Sequence, residues 1–210
     1  MSVCYIVGAG DCDSLPIIKK EDDFIIAADG GLKHLDKFGI EPDIIIGDFD
    51  SFGKIPDAGN VIRLKPEKDI TDLHAAVDIG LAKGCGSFEI FGATGGRLDH
   101  TFANIQLIAS LAQKGKVNKI YGNGFEICAV HNSAVSFSAD MQGYISVFAH
   151  SDECKGLFIK GLKYELENAT LSNSFSLGVS NEFIGKDSVI SVENGTLIII
   201  YGYKKINEVE

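Results

Sequence analysis

Short apolar runs alternating with longer stretches of helical spacing constrain this chain more than any other feature. Positions 3–8, 24–28, 43–47, 61–64, 88–91 and 117–121 read as strands, and 32–38, 70–83 and 98–114 as helices. In the last helix Phe102, Ile105, Ile108 and Ala109 fall on one face, and Gly115 supplies a stop. Strand alternating with helix predicts a mainly parallel, doubly wound sheet. From about residue 126 the pattern changes to short alternating runs at 134–137, 143–148, 156–160, 164–166, 189–193 and 196–203. Between the last two, Asn194-Gly195 tolerates the positive φ angles of a type I′ turn and predicts a hairpin. The expected architecture is therefore α/β: an N-terminal doubly wound, mainly parallel sheet over 1–125, followed by a C-terminal antiparallel β-sandwich over 126–210. The second part is small, and docking on the first part or on another subunit would help it bury enough apolar surface.

Charge and composition exclude several classes. The formal charge is −10 with only 19 Lys and Arg among 210 residues, and no basic tract occurs, which argues against a nucleic-acid partner. No apolar run approaches the ~18 residues needed to span a bilayer, and the N-terminus lacks the basic flank and long apolar stretch of a signal peptide. A cytoplasmic protein with no membrane partner is expected. Five scattered cysteines without zinc-site spacing read as reduced, structural thiols.

Three polar clusters then follow apolar or turn-rich runs in order. Gly47-Asp48-Phe49-Asp50-Ser51 comes directly after Ile44-Ile45-Ile46, where a buried strand ends and open α/β sheets present their ligands. On an extended chain Asp48 and Asp50 project to one side, so their charges repel unless a cation or a donor network sits between them. Asp69-Ile70-Thr71-Asp72 adds two carboxylates at the mouth of a helix that Thr71 or Asp72 can cap. Carboxylate oxygens suit Mg²⁺, which shares itself with substrate phosphates. The third cluster, Gly92 through His100, brings Gly95, Gly96 and Arg97, whose backbone donors and guanidinium can bind phosphate oxygens, followed by Asp99 and His100. Asp29-Gly30-Gly31 either caps a helix or offers backbone N–H groups to phosphate. Neither a Walker A pattern nor Gly-Xaa-Gly-Xaa-Xaa-Gly is present, so a nucleotide site here is built by other means. In the second part, 172–174 and 176–182 read as polar, glycine-containing hairpin loops.

Together Asp29-Gly30-Gly31, Pro42-Asp43, Gly47 through Ser51, Lys68 through Asp72, and Gly92 through His100 with Asn104 resemble the thiamine pyrophosphokinase family. The match continues into Gly161 through Leu166 and Gly178 through Glu182, so it spans nearly the whole chain. The resemblance implies an α/β domain followed by a β-sandwich that binds thiamine and dimerises. It implies a homodimer whose active site lies between subunits, and transfer of the pyrophosphoryl group of ATP to the hydroxyl of thiamine. Carried onto this sequence, Asp48, Asp50 and Asp72 become ligands of Mg²⁺. Asp69 and Thr71 join the same polar network, and Arg97 holds the transferring phosphates. Asp29, Gly30, Gly95, Gly96 and His100 fall to the ATP side. Asp48, Asn104, Ser180 and Asn181 fall to the thiamine side, and Asp99 and His100 orient substrate or the loop. Phosphoryl chemistry itself calls for a carboxylate not saturated by metal to accept the hydroxyl proton, a role open to Asp69 or Asp99. Tyr164 stands where many relatives carry Trp, a residue this chain lacks.

Two other readings fit parts of the pattern. A metal-dependent phosphatase would use an Asp-Xaa-Asp pair such as Asp48 and Asp50 to form an aspartyl-phosphate. A non-catalytic binding module would leave the Arg, the His and so many carboxylates around a small ligand unexplained.

Overall fold

The computed structural model describes residues 1–48, 60–65 and 69–203. They divide into two compact units, residues 1–107 with 116–123, and residues 108–115 with those from 124 onward. In the first unit the order is β1 (Val3–Val7), β2 (Phe24–Ala28), α1 (Gly31–Phe38), β3 (Ile44–Gly47), β4 (Val61–Arg63), α2 (Asp72–Ala82) and β5 (Ser87–Phe91). Helix α3 (Leu98–Gln113), whose residues from 108 on belong to the second unit, and β6 (Val117–Tyr121) follow. The strands lie in the order β6-β5-β1-β2-β3-β4, and all five pairings are parallel.

The period-two alternation of β1 decides which helix meets which face. Tyr5 and Val7 pack with Ile25, Ala27, Ile45 and Phe91 against Leu32 and Leu35 of α1. Cys4 and Ile6 point the other way, where α2 lies so close that a Cβ on Gly80 would stand 2.7 Å from both Cys4 Sγ and a ring carbon of Phe88. Strands covered on both faces read as unbroken apolar runs, which is why β1, β2 and β3 were legible. Each large side chain buried in this way contributes roughly 1.5–3 kcal/mol.

Helix ends follow local chemistry. Thr71 is the N-cap of α2, its Oγ1 accepting from His74 N at 3.1 Å. Gly39 ends α1 in the left-handed conformation, φ 66°. In α3 the buried stripe runs through Asn104, Ile108 and Leu111, which turns Phe102 to solvent at 61% exposure, against the expected face.

The second unit holds β7 (Glu126–His131), β8 (Ala134–Phe137), β9 (Tyr144–Ala149), β10 (Glu153–Lys160), β11 (Leu166–Ser172), β12 (Gly178–Glu182), β13 (Ser188–Ser191) and β14 (Thr196–Tyr203). Antiparallel strands run in the orders β12-β9-β14-β7 and β11-β10-β13-β8. Ile145, Val147, Leu197 and Ile199 from the first set interdigitate with Leu157, Ile159, Leu171 and Ile190 from the second, giving a sandwich core.

Three local expectations fail here. Residues 178–182 form a strand, not a loop, and 164–165 precede β11 instead of opening a strand. The Asn194-Gly195 step joins β13 and β14, which lie in different sheets, so no hairpin forms. Only Gly195 of the two has a positive φ, whereas a type I′ turn requires it at both. Asn194 instead bridges to Lys155.

All five cysteines are free thiols. Among the described residues no helix is long and apolar enough to cross a membrane.

Candidate active site

From β1 the chain steps outward to β4, then returns through α2 to lay β5 on the other side of β1. Where strand order reverses, the connections leave the carboxyl ends of β1 and β5 in opposite directions, and a crevice opens between them. A cavity of about 430 Å³ lies there. Gly8, Ala9 and Gly10 line it from β1, Ala28 and Asp29 from β2, and Asp48 from the end of β3. Ile70 through Leu73 come from the start of α2, Gly92, Ala93, Gly95 and Gly96 from the loop after β5, and Arg97, His100 and Asn104 from the entry to α3.

The two glycine turns interlock. Gly8 N donates to Phe91 O, Gly10 N to Gly92 O and Asp11 N to Thr94 O, each at 2.8 Å, so the β1–β5 ladder continues past both strands. A Cβ on Gly10 would sit 2.4 Å from Thr94 O, so only glycine permits this approach. His34 Nε2 lies 2.9 Å from Gly10 O and ties α1 to the same turn. Asn104, 6% exposed, donates from Nδ2 to Ala93 O at 2.7 Å and secures the second turn from α3.

Asp29 has the least settled side chain of the site. Its φ is 47°, the N-cap of α1 is Gly30 with no side-chain cap, and Oδ1 is buried without a hydrogen-bond partner. Burial pushes its carboxyl above the ordinary range; the Gly30 N–H opposes this, and the Asp72 and Asp48 carboxylates push it further up. Asp48 and Asp72 thus line the same cavity as Asp29 and act on its carboxylate, one oxygen of which is unanswered. Among the described residues no group of three His, Cys, Asp or Glu side chains forms a ready-made metal cage.

A raised folded value means that Asp29 contributes stability below the ordinary carboxylate range, and that this is lost as pH rises through the raised value. Asp29→Asn, which keeps a residue tolerant of positive φ, is expected to raise the melting temperature of the ligand-free protein at pH 7. At pH 3 the gain should vanish. Circular-dichroism melts at the two pH values check both.

Arg97 and Asp99 form an exposed fork, with Nε 3.1 Å from Oδ1 and a second contact from the terminal guanidinium to Oδ2. The Arg97 hydrogen bond brings the Asp99 carboxyl down to about 2. While that fork persists, Asp99 is a weak proton acceptor.

Of the residues expected from sequence, the cavity gathers Asp29, Asp48, Thr71, Asp72, Gly95, Gly96, Arg97, His100 and Asn104. Gly30, Asp69 and Asp99 are not among its lining residues. Asp50, with Phe49, Ser51 and Lys68, lies outside the described residues. Ser180 and Asn181 stand in β12 of the second unit. Sequence reading passed over Gly8-Ala9-Gly10, whose signal was a glycine pair immediately after the first apolar run.

Comparison with known proteins bears on both units. Residues 15–120 match the family model described as thiamin pyrophosphokinase, catalytic domain, and 132–199 match thiamin pyrophosphokinase, vitamin B1 binding domain. The chain is similar to a thiamine pyrophosphokinase of Bacillus subtilis (strain 168), 31% identical over 95% of this chain and 98% of the relative. A crystal structure of thiamine pyrophosphokinase from Bacillus subtilis superposes with a TM-score of 0.85, at 28% identity, covering 97% of this chain and 100% of the other. One from Geobacillus thermodenitrificans gives 0.82 at 28% identity, covering 97% and 99%.

Proposed function

Because this chain belongs to the thiamine pyrophosphokinase family, we propose that it transfers the pyrophosphoryl group of ATP to the hydroxyl of thiamine, giving thiamine diphosphate and AMP. The observation that carries this reading is the meeting of Asp29, Asp48 and Asp72 in one cavity with two glycine turns and Arg97, at the reversal point of the parallel sheet. The 1–125 part is then the ATP and metal domain, and the 126–210 part binds thiamine and dimerises.

The donor set fits Mg²⁺: oxygen ligands only, with the buried Oδ1 of Asp29 lacking a partner. Asp48 and Asp72 would hold the ion together with phosphate oxygens, Asp50 joining them and Asp29 facing the same charge. Bound there, the ion supplies neutralisation of charge on the phosphate oxygens.

The chain's own residues do the rest. Backbone N–H groups of Gly95 and Gly96 and the guanidinium of Arg97 bind phosphate oxygens, with Gly30, Thr71 and His100 in the same network. When Arg97 leaves Asp99 for phosphate, the carboxylate loses the contact that holds its proton affinity down. Asp99, or Asp69, then accepts the hydroxyl proton as thiamine attacks the β-phosphorus in line with the departing AMP. Asn104, Ser180 and Asn181 stand on the thiamine side.

The same reading makes the protein a cytoplasmic homodimer with its active site between subunits. In support, the edge strand β12 and its flanks expose the apolar side chains of Phe175, Leu177, Val179 and Ile184, chemistry suited to a second copy.

Incubation with ATP, Mg²⁺ and thiamine, with chromatography of the products and omission of each component, tests the reaction. Equal AMP and thiamine diphosphate, dependent on all three additions, are expected. Free phosphate without thiamine diphosphate would support the phosphatase reading of Asp48 and Asp50 instead.

A further inference from the structure

The chain carries an Asn-Gly step at Asn123-Gly124 and another at Asn194-Gly195. In such a step the glycine nitrogen can attack the side-chain carbonyl carbon of the Asn, because no Cβ on the glycine crowds the approach. The two steps sit in very different surroundings.

Asn194 is exposed, but its main chain is pinned to β10: its N–H donates to Lys155 O at 3.1 Å, and its carbonyl accepts from Lys155 N at 2.8 Å. The attacking nitrogen would be that of Gly195, a buried residue whose N–H donates to Asn132 Oδ1 at 2.8 Å. The backbone there is also tightly packed, since a Cβ on Gly195 would lie 2.7 Å from Cys154 Sγ. Attack requires that a part-buried hydrogen bond be lost first.

Asn123 and Gly124 lie in the bend between β6 and β7, and both are exposed. Among the described residues no hydrogen bond engages the Gly124 N–H. A Cβ on Gly124 would meet nothing within 4 Å, so the space around this nitrogen is open. The boundary between the two compact units falls between these two residues.

We propose that Asn123 is a site of spontaneous modification, deamidated by attack of the Gly124 nitrogen, and that Asn132 shields Asn194 from the same reaction. Gly124 N forms a bond to Asn123 Cγ as the bond from Cγ to Nδ2 breaks. The amide proton leaves with Nδ2 as ammonia, and a cyclic imide remains. Water then opens the imide at either carbonyl, giving aspartate or isoaspartate. Either product adds a negative charge, and isoaspartate also lengthens the main chain by a methylene where one unit gives way to the other.

Ageing of the full-length protein in mildly alkaline buffer, folded and in guanidinium chloride, followed by proteolysis and mass spectrometry, tests this. In denaturant the two steps lose their surroundings and should convert at similar rates. In the folded protein Asn123 should convert at least about tenfold faster than Asn194, the scale set by one hydrogen bond that must first be lost. Asn132→Gly suits the φ of 47° at that position and removes the acceptor, so it should bring Asn194 toward the rate of Asn123. If that variant does not fold, hydrogen exchange in the wild type reads the same contact, with the Gly195 amide expected to exchange more slowly than that of Gly124. A folded protein in which Asn123 stays intact, or in which both steps convert alike, would overturn the proposal. An Asn194 that stays unmodified in folded Asn132→Gly, or a Gly195 amide exchanging as fast as that of Gly124, would overturn the shielding by Asn132.

Discussion

Asp72→Asn is expected to lower turnover about 100- to 1000-fold while leaving the fold standing, the loss typical for removing one preorganised charge-stabilising group. Asp72 is the first residue of α2 and lines the cavity beside Thr71. It is not the capping group of that helix. Thr71 supplies the cap, and an acidic residue in the first turn adds only about 0.3–1 kcal/mol through the helix dipole. Its chemical duty is larger, because with Asp29 and Asp48 it forms the anionic wall that a cation shared with phosphate would face. Rates and melting curves of the variant should therefore separate. A variant with near-normal turnover would remove Asp72 from the metal site, and one that fails to fold would contradict the capping argument.

Gly31→Ala is expected to destabilise the protein by about 3 kcal/mol, although helix propensity alone would favour Ala by about 1 kcal/mol. The reason is distance. A Cβ on Gly31 would lie 1.8 Å from Val7 O and 2.5 Å from Val7 C, and backbone cannot rotate away as a side chain can. The first turn of α1 has to move off the end of β1, carrying Asp29 with it. At 2–4 °C per kcal/mol for a chain of this size, the melting temperature should fall by about 6–12 °C. Gly39→Ala is the control, since its Cβ would meet nothing within 4 Å and only the positive φ opposes it. Equal melting temperatures for Gly31→Ala and wild type would show that the close approach is not enforced.

What was legible in the sequence follows from what local patterns encode. Strands buried on both faces announce themselves as apolar runs, and β1, β2 and β3 sit where those runs lie, while β5 and β6 show the period-two alternation of a half-buried strand. Carboxylates after such runs were legible because the carboxyl ends of parallel strands are where ligands are met. β12 was not, since Gly178-Val179-Ser180-Asn181-Glu182 is polar and its bulge breaks the period of two. The Asn194-Gly195 step carried a strong local turn signal, yet which sheet each flanking strand joins is settled by long-range pairing, β13 with β8 and β10 and β14 with β7 and β9. The Gly8-Ala9-Gly10 turn lay in plain view, but its meaning depends on Gly92 and Thr94, more than 80 positions away, and no local pattern records that partnership.

The most direct measurement is a crystal structure of the protein with Mg²⁺, thiamine and the α,β-methylene analogue of ATP, in which the bond to be cleaved is blocked. Triphosphate density between the Gly8–Gly10 turn and Gly95–Arg97, with the metal between phosphate oxygens and Asp48 and Asp72, is the expected result. Triphosphate bound away from the carboxyl ends of β1 and β5, with Asp29, Asp48 and Asp72 facing only solvent, would contradict it.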